Sequence, residues 1–294
     1  MNFIFIVNPV SGNKKSIQAI KAIEEYCKIL RVNYKIMYTS KVGQATQIAD
    51  YFKNDSQTTI FSVGGDGTLN EVVNGLVNSS AKLGIIPTGT GNDFYKTFKG
   101  IDDDMIDVGR VNDKYFINVA SIGLDAEIAN YANTLKKYKL NIPNNIIYIL
   151  SIFKEYFKYK PINIEFDNNK KDTTILTVCN AKYYGGGFQI APNAKLDDGK
   201  FDIVDVKSLN KLEVLGLIKK LIKVEHLQSN KVNYYRTDSI EVNSLQLWKH
   251  LEPKLVTFGI SIEVKPLQPE KQLSPIVVTS SNSIEVKLVQ LKKQ

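Results

Sequence analysis

The chain has 294 residues, 43% hydrophobic and 23% charged, enough for one large globular domain or two ordinary ones. Cysteine occurs only at Cys27 and Cys179, which excludes a disulfide framework and fits a reduced, cytoplasmic compartment. The formal charge of +8 either favours an anionic partner (nucleotide, nucleic acid or acidic membrane surface) or simply keeps a lysine-rich surface soluble.

The opening MNFIFIVNPVSG lacks the basic stretch and long apolar core of a signal peptide, and Asn2 stands where N-myristoylation needs glycine. NFIFIVN (2–8) reads as a buried strand ended by Pro9. A helix follows over 14–30, with Ile20, Ile23, Cys27 and Leu30 on one face. Then come strand YKIMYT (34–39), helix ATQIADYFK (45–53), strand TTIFSVG (58–64), helix LNEVVNGLV (69–77) and strand KLGIIP (82–87). Alternating strands and helices predict a parallel sheet with helices on its faces, over residues 1–100. After about residue 100 β-type runs dominate: KYFINVA, INIEF, TTILTVCN, KFDIVDV, SIEVN, LVTFGISIEV and IVVTS, interrupted by helices near 142–158 and 211–222. This predicts a mostly antiparallel second domain over 101–294, a sandwich or open barrel. The final SIEVKLVQLKKQ is one more strand that could pair in either domain. No apolar run approaches the roughly 20 residues that span a bilayer; the longest is NNIIYILSIF, 144–153.

Three loops carry the chemistry. In FSVGGDGTLNEVVNGL (61–76), glycines sit between a strand and a helix. Thr68 and Glu71 are spaced as a capping box, which would start the helix at Thr68. Glycines before a helix N-terminus, with its unpaired N–H groups and partial positive charge, make either a phosphate cradle or a tight turn with no ligand. The spacing is neither a P-loop, since no Lys follows, nor a dinucleotide fingerprint, since Asn70 replaces the third glycine. The second loop, IIPTGTGNDF (85–94), repeats glycine, threonine and a carboxylate after the next strand, so both would lie on one sheet edge. NPVSGNKK (8–15) adds a third turn with Lys14 and Lys15.

NPVSG (8–12), GGDGTLNEVVNG (64–75) and PTGTGNDF (87–94) closely resemble the bacterial diacylglycerol kinase-like lipid kinases, related to sphingosine and ceramide kinases and more distantly to NAD kinases. TSKVGQA (39–45), GLDAEI (123–128), the stretch 185–203 and VNYYR (232–236) are similar in order and spacing, so the resemblance covers nearly the whole chain. It implies an ATP-dependent kinase with an N-terminal α/β nucleotide domain, a C-terminal β-sandwich domain and the active site in the cleft between them. It places Asn8, Ser11, Gly12 and Thr39 at the nucleotide. Gly65, Asp66, Gly67, Thr68, Asn70 and Glu71 would hold the phosphates, with Thr90 from the second loop. Mg2+ would ride with ATP near Asp66. A second, structural cation would lie at KLDDGK, on the Asp198 carboxylate and the carbonyls of Lys195 and Lys200; a plain hairpin turn there is the alternative.

Phosphoryl transfer needs a group to orient the acceptor hydroxyl. The family uses a D-G-E motif, but the corresponding stretch here reads KHLEPKLVTFGISIEVKP (249–266), with Glu252 in place and His250 and Leu251 where Asp and Gly stand. Three readings stay open: Glu252 serves alone with His250 assisting, the acceptor differs, or catalysis is lost while nucleotide binding remains. Asp125 in GLDA is a further candidate for the acceptor hydroxyl, or a loop cap. The expected acceptor is a lipid alcohol, first of all diacylglycerol; a soluble metabolite of the NAD kinase type is the rival. Residues 135–160 and 212–227 combine apolar and lysine positions that suit an anionic interface, as well as plain core packing with a solvated lysine face. That places the protein in the cytoplasm or peripherally at the inner face of the membrane. Nucleic acid is not an expected partner, since no binding module is present. A homodimer is left open.

Overall fold

The computed structural model describes residues 2–99, 105–111, 114–137, 142, 144–166, 169–244, 262–266, 275–281 and 283–287. The chain divides into two compact units, one of Met1–Asp107 with Gln268–Gln294 and the other of Val108–Leu267.

The first unit begins with strands β1 (Asn2–Val7), β2 (Asn33–Tyr38), β3 (Thr58–Gly64) and β4 (Lys82–Pro87). Between and after them run helices α1 (Lys15–Leu30), α2 (Gln44–Phe52), α3 (Asp66–Leu76) and α4 (Asp93–Phe98). β1 pairs in parallel with both β2 and β3, and β3 in parallel with β4. Successive residues of β1 face opposite sides, so Phe3, Phe5 and Val7 meet Ile23 and Cys27 of α1, while Ile4 and Ile6 are buried on the other side. The strand is apolar throughout because both faces are covered. Phe61 of β3 stacks on Phe5, ring centroids 4.6 Å apart, and meets Phe3 edge-on at 5.1 Å. The chain leaves β1 to one side for β2 and then returns to β1's other side for β3. The carboxyl ends of β1 and β3 therefore flank a reversal of strand order, the place where an open α/β sheet leaves a crevice for ligands.

The second unit contains β5 (Gly109–Val111), β6 (Lys114–Phe116), β7 (Val119–Gly123), α5 (Leu124–Lys137), α6 (Asn144–Lys158), β8 (Ile162–Phe166), β9 (Asn169–Cys179), β10 (Tyr183–Tyr184) and β11 (Phe188–Gln189). It continues with β12 (Phe201–Lys207), α7 (Lys211–Ile222), β13 (Val232–Thr237), β14 (Ile240–Ser244) and β15 (Ile262–Pro266). Its large sheet runs β13-β12-β9-β8-β14-β15-β5-β6, with β7 also on β9, and its pairings are antiparallel. Alternation divides its strands between two cores. Leu176 and Val178 of β9 join Phe116, Ile122, Ile164, Phe201, Ile203 and Val242, so strands cover strands as in a sandwich. Cys179, Val204, Val206 and Val232 face the other way, into a core closed by Leu124, Ile128, Ile147, Tyr148 and Val214 of the three helices. Helix α5 departs from expectation: its stretch carried no helix in the reading above, because its apolar positions are diluted by alanine, asparagine and threonine.

The run at 276–280, grouped above with the second domain's strands, goes elsewhere. It forms β16 (Pro275–Ser281), which pairs in parallel with β4 and antiparallel with β17 (Ser283–Lys287), extending the first sheet to six strands.

Candidate active site

Counted in chain order, the first, second and third loops, after β1, β3 and β4, form one cluster. The Asn8 backbone N–H donates to the Val63 carbonyl at 3.1 Å, and its side-chain Nδ2 donates to Thr68 Oγ1 at 3.1 Å, so one residue ties the end of β1 to the start of α3. The Asn8 carbonyl accepts from Ser16 Oγ at 2.5 Å and the Ser11 N–H at 3.1 Å, which folds the first turn back on itself. That turn reaches Gly12 with φ +55°, where a Cβ would stand 1.8 Å from the Thr88 carbonyl oxygen. Glycine is required twice over, for the left-handed backbone and for contact with the third loop. Thr39 lies alongside, its N–H donating to the Val7 carbonyl at 2.9 Å.

The second and third loops touch backbone to backbone. A Cβ on Gly89 would fall 2.4 Å from Gly65 Cα, and the Gly64 carbonyl accepts from the N–H groups of Thr88 (2.9 Å) and Gly89 (3.1 Å). Asp66 locks the arrangement. Its Oδ2 accepts the Asp93 N–H at 3.0 Å and its Oδ1 the Phe94 N–H at 2.9 Å, so the second loop supplies the cap of α4. Burial lifts the Asp66 pKa above the ordinary aspartate value, the Phe94 and Asp93 N–H groups oppose this, and the neighbouring Asp93 carboxylate reinforces it. Gly67, in contrast, is exposed, and a Cβ there would meet nothing within 4 Å. Thr90 is exposed and Ser11 and Asn70 are half-buried in the same cluster, with Lys14 and Lys15 exposed at the first turn.

The expected capping box is not formed. α3 starts at Asp66 with Gly65 as its N-cap, and no side chain caps it. Thr68 Oγ1 is taken by Asn8, and Glu71 Oε2 instead accepts the Ala45 N–H at 3.2 Å, capping α2. Tertiary partners outcompete the local pair, which leaves the first N–H groups of α3 without a side-chain cap of their own. Asn92 was not singled out above. It sits at φ +50°, and its Nδ2 donates to the Gly89 carbonyl at 2.9 Å. Its Oδ1 is buried with no partner among the described residues, beside the Gly65–Gly89 contact. The signal in the sequence is an Asn directly after the glycine turn, since Asn is among the few non-glycine residues that readily take a left-handed backbone.

The second unit holds a separate polar centre. Asp125 lies in the first turn of α5, fully inside, rather than in a loop. Tyr148 OH donates to Asp125 Oδ1 at 2.8 Å. Burial raises the Asp125 pKa, while hydroxyls of Tyr148, Ser121 and Tyr184 counter it. The group stands at the wall of an apolar cavity of about 60 Å³ bordered by Leu124, Ile128, Ile152, Val206, Leu217 and His226, among others. Tyr148, Tyr184 and His226 escaped the sequence reading because nothing in their spacing links them to Asp125.

At 195–200 the Asp198 carboxylate pairs with the Arg236 guanidinium, and its Oδ1 accepts the Lys200 N–H at 3.1 Å. The positive charge beside Asp198 here comes from the chain itself. These contacts use the Lys200 N–H and not the Lys195 and Lys200 carbonyls, the other groups expected at the cation. Among the described residues no group of three or more His, Cys, Asp and Glu could hold a metal ion. Glu252, His250 and Leu251 lie outside the described residues. Among the described residues no helix is long and apolar enough to cross a membrane.

Comparison with known proteins agrees with this architecture. The diacylglycerol kinase catalytic domain matches residues 2–115, and the YegS C-terminal NAD kinase beta sandwich-like domain matches residues 118–265. A diacylglycerol kinase of Staphylococcus aureus (strain bovine RF122 / ET3-1) is 30% identical over 261 residues, covering 82% of this chain and 81% of that protein. The enzyme of the same name from strain MRSA252 is 30% identical over 260 residues, covering 81% of each chain. Among solved structures, a diacylglycerol kinase of Bacillus anthracis str. Sterne superposes with a TM-score of 0.66 at 23% identity, covering 93% of this chain and 96% of that one. That likeness bears on the fold. A catalytic domain matched over residues 2–115, the matching second domain after it and a relative 30% identical over most of both chains identify the chain as a kinase, and it belongs to the diacylglycerol kinase family.

Proposed function

We propose that this kinase transfers the γ-phosphoryl group of ATP to the hydroxyl of a lipid alcohol, with diacylglycerol as the acceptor and phosphatidic acid as the product. The observation that carries the reading is the convergence of the three turns at the carboxyl edge of the sheet, with the Gly65 and Gly89 backbones in contact and Gly67 open. Backbone N–H groups at the start of α3 suit the phosphates, with the helix dipole and Lys14 and Lys15 adding positive charge. Asn8, Ser11, Gly12, Thr39, Asn70 and Thr90 border the same place. Magnesium, bound with ATP, would offset charge on the transferring group. The Asp66 carboxylate accepts the Asp93 and Phe94 N–H groups and retains lone-pair capacity, so it can hold a metal-bound water while still capping α4. Glu252 is the proposed group that orients and deprotonates the acceptor hydroxyl. Asp125, at the wall of the apolar cavity, is a further candidate contact for the acceptor hydroxyl.

The test is labelled-ATP transfer to diacylglycerol, other lipid alcohols and NAD, with nucleotide binding measured in parallel. Gly67→Val, whose Cβ would meet nothing within 4 Å, should melt like the parent and lose nucleotide affinity at least about tenfold. Glu252→Gln should lose transfer and keep nucleotide. Nucleotide binding without transfer to any acceptor would instead support a regulatory protein, and transfer to NAD alone a soluble-metabolite kinase.

A further inference from the structure

Helix α6 is apolar on two sides. Its inner side is spent on the second unit's core, where Ile147 and Tyr148 are buried, and Tyr148 and Ile152 border the cavity. A helix packed in this way ordinarily turns polar residues outward. Here the outward residues are Ile146, Leu150, Phe153 and Phe157, at spacings of four, three and four, and they are 44%, 47%, 56% and 69% exposed. A stripe of two aromatic and two branched side chains along one helix is a partner surface, not scattered surface hydrophobicity.

The charges beside the stripe identify the partner. Lys158 and Lys160 are exposed around its C-terminal half, as is Lys154, whose Nζ lies 5.8 Å from the centroid of the Tyr131 ring of α5. Lys211 Nζ donates to the Phe157 carbonyl at 3.1 Å, which holds a further ammonium at the C-terminal end of the helix. The sole acid of α6 is Glu155, which is half-buried. At the neighbouring α7, exposed Leu212 and Ile222 lie among Lys211, Lys219, Lys220 and Lys223. Apolar rings framed by lysines suit the boundary between acyl chains and anionic headgroups. A second copy of the chain would bring the same lysines against each other, which disfavours a symmetric dimer through this face.

We infer that the outer face of α6 is a docking surface for an anionic bilayer, with Phe153 and Phe157 entering the headgroup boundary and the flanking lysines holding acidic headgroups. This rests on the lipid-kinase reading for its purpose. Because α6 also borders the cavity, docking there would bring the acceptor site to the layer in which a lipid alcohol resides.

The experiment is flotation of the full chain with phosphatidylcholine vesicles, with and without phosphatidylglycerol. Binding to the anionic vesicles, weakened by salt, is expected. Phe153→Ser with Phe157→Ser should reduce it about tenfold or more, and Lys158→Gln with Lys160→Gln should reduce only the anionic component. Both pairs are exposed, so thermal melting should match the parent. Absent binding to anionic vesicles, unchanged binding by the Phe pair, or a dimer that the Phe pair dissociates would each overturn the inference. Transfer to a short-chain, water-soluble diacylglycerol separates the two proposals. Equal transfer by parent and Phe pair, with vesicle binding lost only in the variant, supports docking. Vesicle binding without transfer by either protein supports docking and refutes the lipid-kinase reading.

Discussion

Asp66 shows how one side chain can serve both fold and site. Its two oxygens accept the N–H groups of Asp93 and Phe94, so the carboxylate that faces the phosphate loop also holds the third loop in place. Removing it leaves two donors at the start of α4 without their acceptor, each worth about 1–3 kcal/mol when left unsatisfied. Asp66→Ala should therefore lower stability in urea denaturation as well as abolish transfer. Asp66→Asn keeps one carbonyl acceptor and should cost less stability while still impairing transfer; equal losses of stability in the two variants would contradict the capping role. The same residue measures the reach of sequence reasoning. Its place among glycines pointed to phosphate chemistry, but its hydrogen-bond partners lie 27 and 28 residues away. Thr68 and Glu71 teach the converse lesson. Their spacing satisfies a local rule, yet Asn8 and Ala45 claim them because long-range partners offered better-placed groups.

At the scale of elements, α2 and α3 pack through small residues. A Cβ on Gly75 would stand 2.4 Å from the Thr46 carbonyl oxygen and 2.7 Å from Ala49 Cβ. Thr46 Oγ1 donates to the Glu71 carbonyl at 2.8 Å, fixing the same contact with a polar bond. Gly75→Ala should therefore force the helices apart and cost about 1–3 kcal/mol, even though alanine is the better helix former. A gain in thermal stability would show that the helices can separate freely. The strands and most helices of the first unit follow from periodicity, because a parallel strand buried on both faces writes itself as an unbroken apolar run. Helix α5 did not, because alanine, asparagine and threonine blur the stripe that Leu124, Ile128 and Ala132 form in space.

At the scale of the molecule, two of the titratable groups inside the second unit, His226 and Asp125, have opposite preferences. His226 donates through Nε2 to the Ile190 carbonyl at 2.8 Å, and its Nδ1 is buried without a partner among the described residues. Burial lowers its pKa, and the Ile190 hydrogen bond opposes that shift. A lowered pKa contributes stability above the ordinary histidine value of about 6.5, and that stability is lost as pH falls through the folded value. Asp125 has a raised pKa, so its contribution is present at acid pH and is lost as pH rises through its folded value. Thermal melts from neutral pH to pH 5 should fall less steeply for His226→Gln than for the parent, and Asp125→Asn should lessen the loss on the rising side. Parallel profiles for parent and variants would contradict both assignments. Sequence by itself determined the alternation of elements, the three glycine turns and the family, because local periodicity and short motifs are properties of neighbouring residues. Tertiary structure alone decided that β16 joins the first sheet, that Asp125 meets Tyr148 at a cavity, that Asp198 is answered by Arg236 and that α6 exposes an apolar stripe. Each of these depends on which distant groups compete successfully for one partner or one place in the core, and no local pattern records the outcome of that competition.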